Sequence, residues 1–311
     1  MINDVQKFDI LKQSIDKDPT NFQARRELIV LCLDFGLDEM ALKHLNYLVQ
    51  VFPNDANLYF NTGICWEKLK RPNLALKAYE KAVELKSDEV DYLYNLALVY
   101  EQVGNIDEAM KFFKKVIVIE KNDENAFFCI GCLYVKKGDS ESAIKCFKKA
   151  IKLNKDDYFA HFYLAQEYKK IGELDLAIEN YKKVIEMSPD YSWAYFNLAQ
   201  ISFEQNNIEE AISYLLLTIE KNPKDSEVYK LLAQIYFKQE DYDKSLEFCN
   251  KAIGQGCATG DIFYVRAQVF KKREQFDICE KNLNKALQEH KTLTYSINVI
   301  KKEIEDVKKY L

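Results

Sequence analysis

Chain breakers are scarce here: there are five prolines and nine glycines in 311 residues. That scarcity excludes collagen-like and disordered classes, and with 48% hydrophobic and 30% charged residues the composition describes an ordered soluble protein. Long apolar runs are missing as well, since no stretch approaches the roughly 20 residues that a membrane-crossing helix needs. The opening Met1-Ile2-Asn3-Asp4-Val5-Gln6-Lys7 has neither a basic segment nor an apolar one behind it, so a cytoplasmic location without membrane insertion is expected. Positive charge is in deficit, with a net charge of −5 and a pI near 5.5, and arginine occurs only at positions 25, 26, 71, 266 and 273. A binder of phosphate backbones needs the opposite balance, so nucleic acid is not an expected partner. The cysteines, at 32, 65, 129, 132, 146, 249, 257 and 279, are even in number, but in a chain this long and without a leader they are expected to be reduced thiols.

What the chain has instead is a period. Ala41, Ala75, Ala109, Ala143, Ala177 and Ala211 recur at intervals of 34 with no insertion, and Ser245 and Cys279 continue the series with small residues. With that position counted as the twentieth of a unit, eight units begin at residues 22, 56, 90, 124, 158, 192, 226 and 260, an organisation that overrides the two globular domains suggested by length alone. Position eight is small (Gly63, Ala97, Gly131, Ala165, Ala199, Ala233, Ala267), with Ile29 the exception. Position eleven is mostly aromatic, with Cys32 and Ser202 departing, and position twenty-four is mostly large. Small residues in fixed register let two helices approach closely, and the large ones fill the space between successive pairs.

The punctuation fits two helices per unit. Gly36, Gly104, Gly138 and Gly172 fall at position fifteen, where a first helix would close on a left-handed residue. Asn105, Asp139, Asn207 and Asp241 follow at sixteen as N-cap candidates for the second helix. Pro53, Pro189 and Pro223 stand at position thirty-two, and Pro19 keeps the same phase. Residues 1–21 therefore read as the helix of a leading half-unit. At the other end, residues 294–311 place Ile297, Ile300, Ile304, Val307 and Leu311 at helical spacing and read as a capping helix. The run Gly254-Gln255-Gly256-Cys257-Ala258-Thr259-Gly260 is the one candidate hinge.

This pattern resembles the tetratricopeptide repeat (TPR) family: Tyr59, Thr62, Gly63, Trp66, Ala75 and Tyr79 in the second unit, and Tyr195, Leu198, Ala199, Ala211 and Pro223 in the sixth. The resemblance covers residues 22–293, in units 22–55, 56–89, 90–123, 124–157, 158–191, 192–225, 226–259 and 260–293. It implies an all-α, right-handed superhelical solenoid whose concave face is lined by the first helix of each pair. On that face it places an aromatic stripe at position five (Phe60, Tyr94, Phe128, Phe162, Phe196) and carboxamides at six and nine (Asn61, Asn95, Asn197, Gln166, Gln200). Rings beside amides suit a peptide, side chains against the former and backbone groups against the latter. The same stripe also has a packing reading, as filling against the neighbouring helix. Neither the carboxylate clamp of chaperone-tail binders nor a continuous asparagine ladder is matched, because Arg26, Val30, Asp91 and Asn95 break the first, and Cys129, Tyr163 and Leu231 break the second.

Catalytic constellations are not found. His44, His161 and His290 are scattered through the units, and there is no phosphate-binding glycine loop, no paired-histidine metal motif and no nucleophile elbow. Cys129 and Cys132 share a helix face, with Cys146 on the next helix, but a zinc site needs four ligands and no second pair exists. The expectation is thus a scaffold or adaptor without enzymatic activity, cofactor or metal, binding a peptide segment of a partner protein. Two alternatives remain open: a substrate-targeting subunit of a separate modifying enzyme, and a thiol or metal sensor at Cys129 and Cys132.

Overall fold

A computed structural model describes residues 4–311, and among these residues the chain is entirely helical, with no strand. The first helices of the repeats are α2 (Phe22–Asp34), α4 (Ala56–Lys68), α6 (Val90–Gln102), α8 (Glu124–Lys137), α10 (Tyr158–Lys170), α12 (Ser192–Glu204), α14 (Ser226–Lys238) and α16 (Gly260–Lys272). Each is followed by a second helix: α3 (Asp38–Val51), α5 (Pro72–Leu85), α7 (Ile106–Ile119), α9 (Ser140–Leu153), α11 (Leu174–Met187), α13 (Ile208–Lys221), α15 (Tyr242–Gly254) and α17 (Phe276–Gln288). A leading helix, α1 (Asp4–Lys17), and a trailing one, α18 (Ile297–Val307), complete the chain. By compactness it divides into two units, Met1–Glu167 and Tyr168–Leu311.

Within each unit the periodic residues do what their sizes dictate. The alanines of position twenty are fully buried. Position eight lies under the ring of position twenty-four: a Cβ on Gly131 would stand 2.6 Å from the Phe147 ring, and one on Gly63 would strike Tyr79. Tyr79, Phe113 and Phe147 are themselves fully buried in the first unit, as is Tyr181 in the second. Removing area of this size from water stabilises by about 1.5–3 kcal/mol per large side chain, which makes these rings principal sources of cohesion.

The turn inside each repeat is more uniform than its sequence. All eight residues at position fifteen are left-handed: Gly36, Gly104, Gly138 and Gly172, but also Lys70, Asn206, Glu240 and Glu274, with φ of 57° to 63° for the latter four. The geometry is set by the closure of one helix onto the next, and four repeats accept backbone strain of roughly 1 kcal/mol to make it. At position sixteen Asn105, Asp139 and Asp241 accept hydrogen bonds from the N–H groups of Glu108, Ser142 and Lys244. Asn207 occupies the same place without a side-chain cap bond. Pro72 begins α5, where its missing N–H has no cost.

Successive repeats are also fastened by a side-chain bond. The hydroxyls of Tyr59, Tyr195 and Tyr229, each at position four, donate to the carbonyls of Pro53, Pro189 and Pro223 at 3.1 Å. Arg25, at position four of the first repeat, does the same for Pro19 at 3.1 Å. A proline carbonyl has no partner N–H further along a helix, and a long polar side chain supplies the missing donor.

The C-terminal end differs from the expectation in two respects. Helix α18 packs Ile300, Ile304 and Val307 against Ala267, Phe270, Cys279 and Leu283, whereas Ile297 and Leu311 face solvent. The segment before α18 also reaches over the α16 face of the last repeat, as described below. In the glycine-rich run, Gly256 is left-handed, but Gly260 is buried and a Cβ there would meet the Glu289 carbonyl at 2.7 Å. That end of the run is a tight packing point and not a free hinge.

Candidate functional site

In the first unit three position-five rings, Phe60, Tyr94 and Phe128, are half-buried, and each has packing partners. Phe60 stacks on Tyr92 of the next repeat at 4.6 Å and leans on Tyr79 at 5.5 Å. Tyr94 meets Phe113 edge-on at 5.2 Å, and its hydroxyl lies 3.4 Å from the Cys129 sulfur. Phe128 touches Phe147 at 5.7 Å and Tyr163 at 5.4 Å. Phe162 is buried and contacts Tyr163. In the second unit Phe196 is buried too, with Trp193 edge-on at 6.1 Å. The stripe is therefore a mortar between repeats, of which Phe60, Tyr94 and Phe128 keep part of a ring towards solvent.

The amides divide into spent and unspent. Asn95 donates to the Asp91 carbonyl at 2.7 Å, and Asn197 to the Trp193 carbonyl at 2.8 Å, each one turn back on its own helix. Gln200 accepts from the Lys169 ammonium at 2.6 Å. Burial pulls the Lys169 pKa down. Asn61 and Gln166 are half-buried and form no hydrogen bond to another described residue. A carboxamide held at a partly dry surface with open donors and acceptors is what an extended backbone requires.

The position-nine series continues in the sequence to Gln234 and Gln268, but sequence reasoning missed what engages them at the C-terminal end. The position-nine amides Gln234 and Gln268 are engaged by the chain's own final segment, Gln234 donating to the Tyr295 hydroxyl at 3.0 Å and Gln268 to Glu303 at 2.6 Å. Tyr264, at position five, lies 4.1 Å from the Tyr295 ring and donates its hydroxyl to Glu303 at 2.9 Å. Asp261, at position two, is buried and accepts from the Thr294 N–H at 2.7 Å and hydroxyl at 3.0 Å. Lys230, which interrupts the aromatic stripe, bridges Asp261 at 3.4 Å and Glu227 at 2.7 Å. Burial opposes its charge, but the two carboxylates outweigh it and raise its pKa. The signals available in sequence were the in-register glutamines at position nine, the change from Phe to Lys at position five, and an acid at position two of the following repeat.

The thiols carry no activation. Burial pushes Cys129 up to about 11 and Cys132 up to about 12, so both are protonated near neutrality. Among the described residues no group of three His, Cys, Asp or Glu side chains could hold a metal ion. None of the described helices is long and apolar enough to cross a membrane.

Family models of the tetratricopeptide repeat match residues 39–89, 90–123, 124–157, 146–179, 172–235 and 226–254. The chain belongs to the tetratricopeptide repeat family, a family of protein-interaction scaffolds. None of the curated proteins matches it. Solved structures do. MamA is 26% identical with a TM-score of 0.51, over 55% of this chain and 94% of its own. YrrB, described as "a TPR protein with an unusual peptide-binding site", is 24% identical with a TM-score of 0.51, over 59% of this chain and 95% of its own. The C-terminal part of a TPR protein from Cytophaga hutchinsonii reaches a TM-score of 0.65 at 18% identity, over 74% of this chain and 94% of its own.

Proposed function

We propose that this chain is a cytoplasmic adaptor without catalytic activity, which assembles or recruits a complex by holding a peptide segment of a partner protein along the faces of its first helices. The observation that carries this reading is the pairing, within the first unit, of half-exposed rings at Phe60, Tyr94 and Phe128 with the unspent amides of Asn61 and Gln166. The rings give apolar area, and the amides give a backbone partner wherever the ligand's own N–H and C=O groups would otherwise be left dry. YrrB shares the fold and carries a peptide-binding site on it. Eight cysteines held as free thiols suit a reducing compartment.

The test is affinity capture from native lysate with wild type, a first-helix-face variant (Asn61→Ala, Phe128→Ala, Gln166→Ala) and a control on the second helices (Lys114→Glu, Lys115→Glu), all checked for helicity. Loss of the retained partner in the first variant alone supports the reading. Equal retention by the first variant and wild type removes it and moves the interface off the first-helix face.

A further inference from the structure

The second unit holds two cavities at equivalent places in successive repeats. One, between α12 and α14, has a volume of about 250 Å³ and is walled by Ala199, Gln200, Phe203, Glu204, Leu215, Leu231 and Ile235. The other, between α14 and α16, measures about 390 Å³, and its walls include Gln234, Phe237 and Val265, which stand 34 residues after Gln200, Phe203 and Leu231. They share the amide, the ring and the aliphatic residue at those three positions and differ elsewhere: Glu204 stands where the later cavity has Lys238, and Leu215 lines only the earlier one. The later cavity is walled on one side by the chain's own Tyr295, its ring on Tyr264 and its hydroxyl accepting from Gln234. The earlier one is lined only by residues of α12, α13 and α14.

Its emptiness has a cause in the sequence. Position twenty-four is an aromatic ring in the four preceding repeats, and in the sixth it is Leu215. The place where a ring would lie over position eight is left as apolar space beside Ala199. At its rim Gln200 has its carbonyl oxygen engaged by Lys169, so the group it still offers is its NH₂, the same donor that Gln234 presents to Tyr295.

We propose that the α12–α14 cavity is a subsite for a tyrosine side chain on a partner's peptide, with the ring against Leu215, Leu231 and Ile235 and the phenol oxygen accepting from Gln200. This rests on the adaptor reading above and names part of what that ligand must carry. Tyr295 is the template for the hydroxyl: one repeat further on, the equivalent Gln234 already donates to a phenol, whose ring there rests on Tyr264, a position held by Lys230 in the seventh repeat. A bulky aliphatic side chain would fill the space but leave the Gln200 donor dry, which costs affinity, so the site discriminates tyrosine from leucine or phenylalanine through one hydrogen bond.

The test uses the full chain and a fluorescein-labelled peptide of residues 291–298, which carries the template tyrosine, with fluorescence anisotropy as the readout. Saturable binding is expected, weakened about tenfold or more by Tyr→Ala in the peptide and by Leu215→Tyr in the protein, which restores the ring and fills the cavity. Gln200→Ala should weaken the tyrosine peptide about three- to tenfold and leave a Tyr→Phe peptide unchanged, so the two losses are one interaction. This second arm decides the matter if Leu215→Tyr does not fold.

No binding, or binding indifferent to Leu215→Tyr and Gln200→Ala, overturns the assignment. So does binding lost in Gln234→Ala instead, which means that the peptide has replaced the chain's own Tyr295. Concentration-dependent dimers of the unlabelled chain that disappear in Leu215→Tyr would give the cavity to a second copy's tail and not to a partner. None of these outcomes touches the adaptor reading, whose own test lies in the first unit.

Discussion

The first-helix face of the first unit and that of the second carry the same repeat positions and use them differently. In the first, position five is a ring from Phe60 onward, and such a ring can wedge against position twenty-four and the next repeat, as Phe128 does with Phe147 and Tyr163. In the second, Phe196, Tyr264 and Tyr181 keep their rings, but Lys230 replaces the ring at position five of the seventh repeat, Leu215 replaces it at position twenty-four of the sixth, and two of the position-nine amides are taken by the chain's own tail. Where rings interlock, the face is solid and its chemistry is confined to the half-exposed edges. Where they are dropped, space opens, and the chain fills part of it with Tyr295 and Thr294. Cohesion and ligand capacity thus compete for the same positions, because a ring cannot both mortar two repeats and leave a cavity between them.

The largest test of that contrast removes a ring from the solid face. Phe147→Ala should cost about 3–5 kcal/mol, since Phe147 is fully buried among Phe128, Tyr163 and Gly131. Leu215→Ala, beside an existing cavity in the second unit, should cost about 2–3 kcal/mol, the low end of the range for truncating a buried aliphatic chain. Urea midpoints compare them, and equal losses would mean that the rings of the first unit contribute no more than aliphatic filling does.

Next in size is the polar clasp of the tail. Asp261→Ala strands Lys230 beside Glu227 alone and frees Thr294, so a loss of about 2–4 kcal/mol is expected. The pH dependence follows from the raised Lys230 pKa. A raised folded-state value means that the contribution is fully present below the ordinary lysine pKa, about 10.4, and is lost as pH rises through the folded value. The gap between wild type and variant should therefore stay level from neutral pH to about 10 and narrow only above that. A gap that closes already near pH 8 would show that Lys230 is not what holds the clasp.

Much of this contrast rests on a frame that is legible in the sequence. The 34-residue alanine register fixes where helices touch, because a small residue at a helix crossing has no substitute, and the buried Ala41 to Ala211 series bears that role. The division of the stripe between packing and exposure was not legible, since Phe162 and Phe128 occupy the same position of the repeat, yet one is buried and the other half-buried. Nor was the tail. Thr294 and Tyr295 carry no periodic signal, and their partners at Asp261, Gln234 and Tyr264 belong to three different repeat positions. The proline staples lay between these cases. Tyrosine or arginine stands at position four wherever proline precedes it at position thirty-two, and Leu93, Phe127, His161 and Phe263 stand there otherwise, a pairing that makes sense only once the carbonyl is seen to need a donor.

A smaller effect, with opposite signs in the two units, comes from position fifteen. Gly104→Ala in the first unit places a Cβ at a φ of 83° and should cost about 1 kcal/mol, whereas Glu240→Gly in the second relieves a left-handed glutamate at 62° and should stabilise by a few tenths to about 1 kcal/mol. Thermal midpoints moving in opposite directions would show that the turn geometry is imposed by helix packing in both units. A destabilised Glu240→Gly would mean that the glutamate side chain contributes more there than the strain removes.

The smallest change isolates a single bond between repeats. Tyr195→Phe deletes the hydroxyl that reaches the Pro189 carbonyl and leaves the ring in place, so about 0.5–1.5 kcal/mol should be lost. Tyr59→Phe removes the same bond to Pro53 in the first unit, but there the hydroxyl is more exposed and water can replace it, which predicts a smaller loss. If the two variants lose the same amount, the staple acts through its bond alone. If Tyr195→Phe loses more, the difference measures how much the drier surroundings of that carbonyl raise the cost of leaving it without a donor.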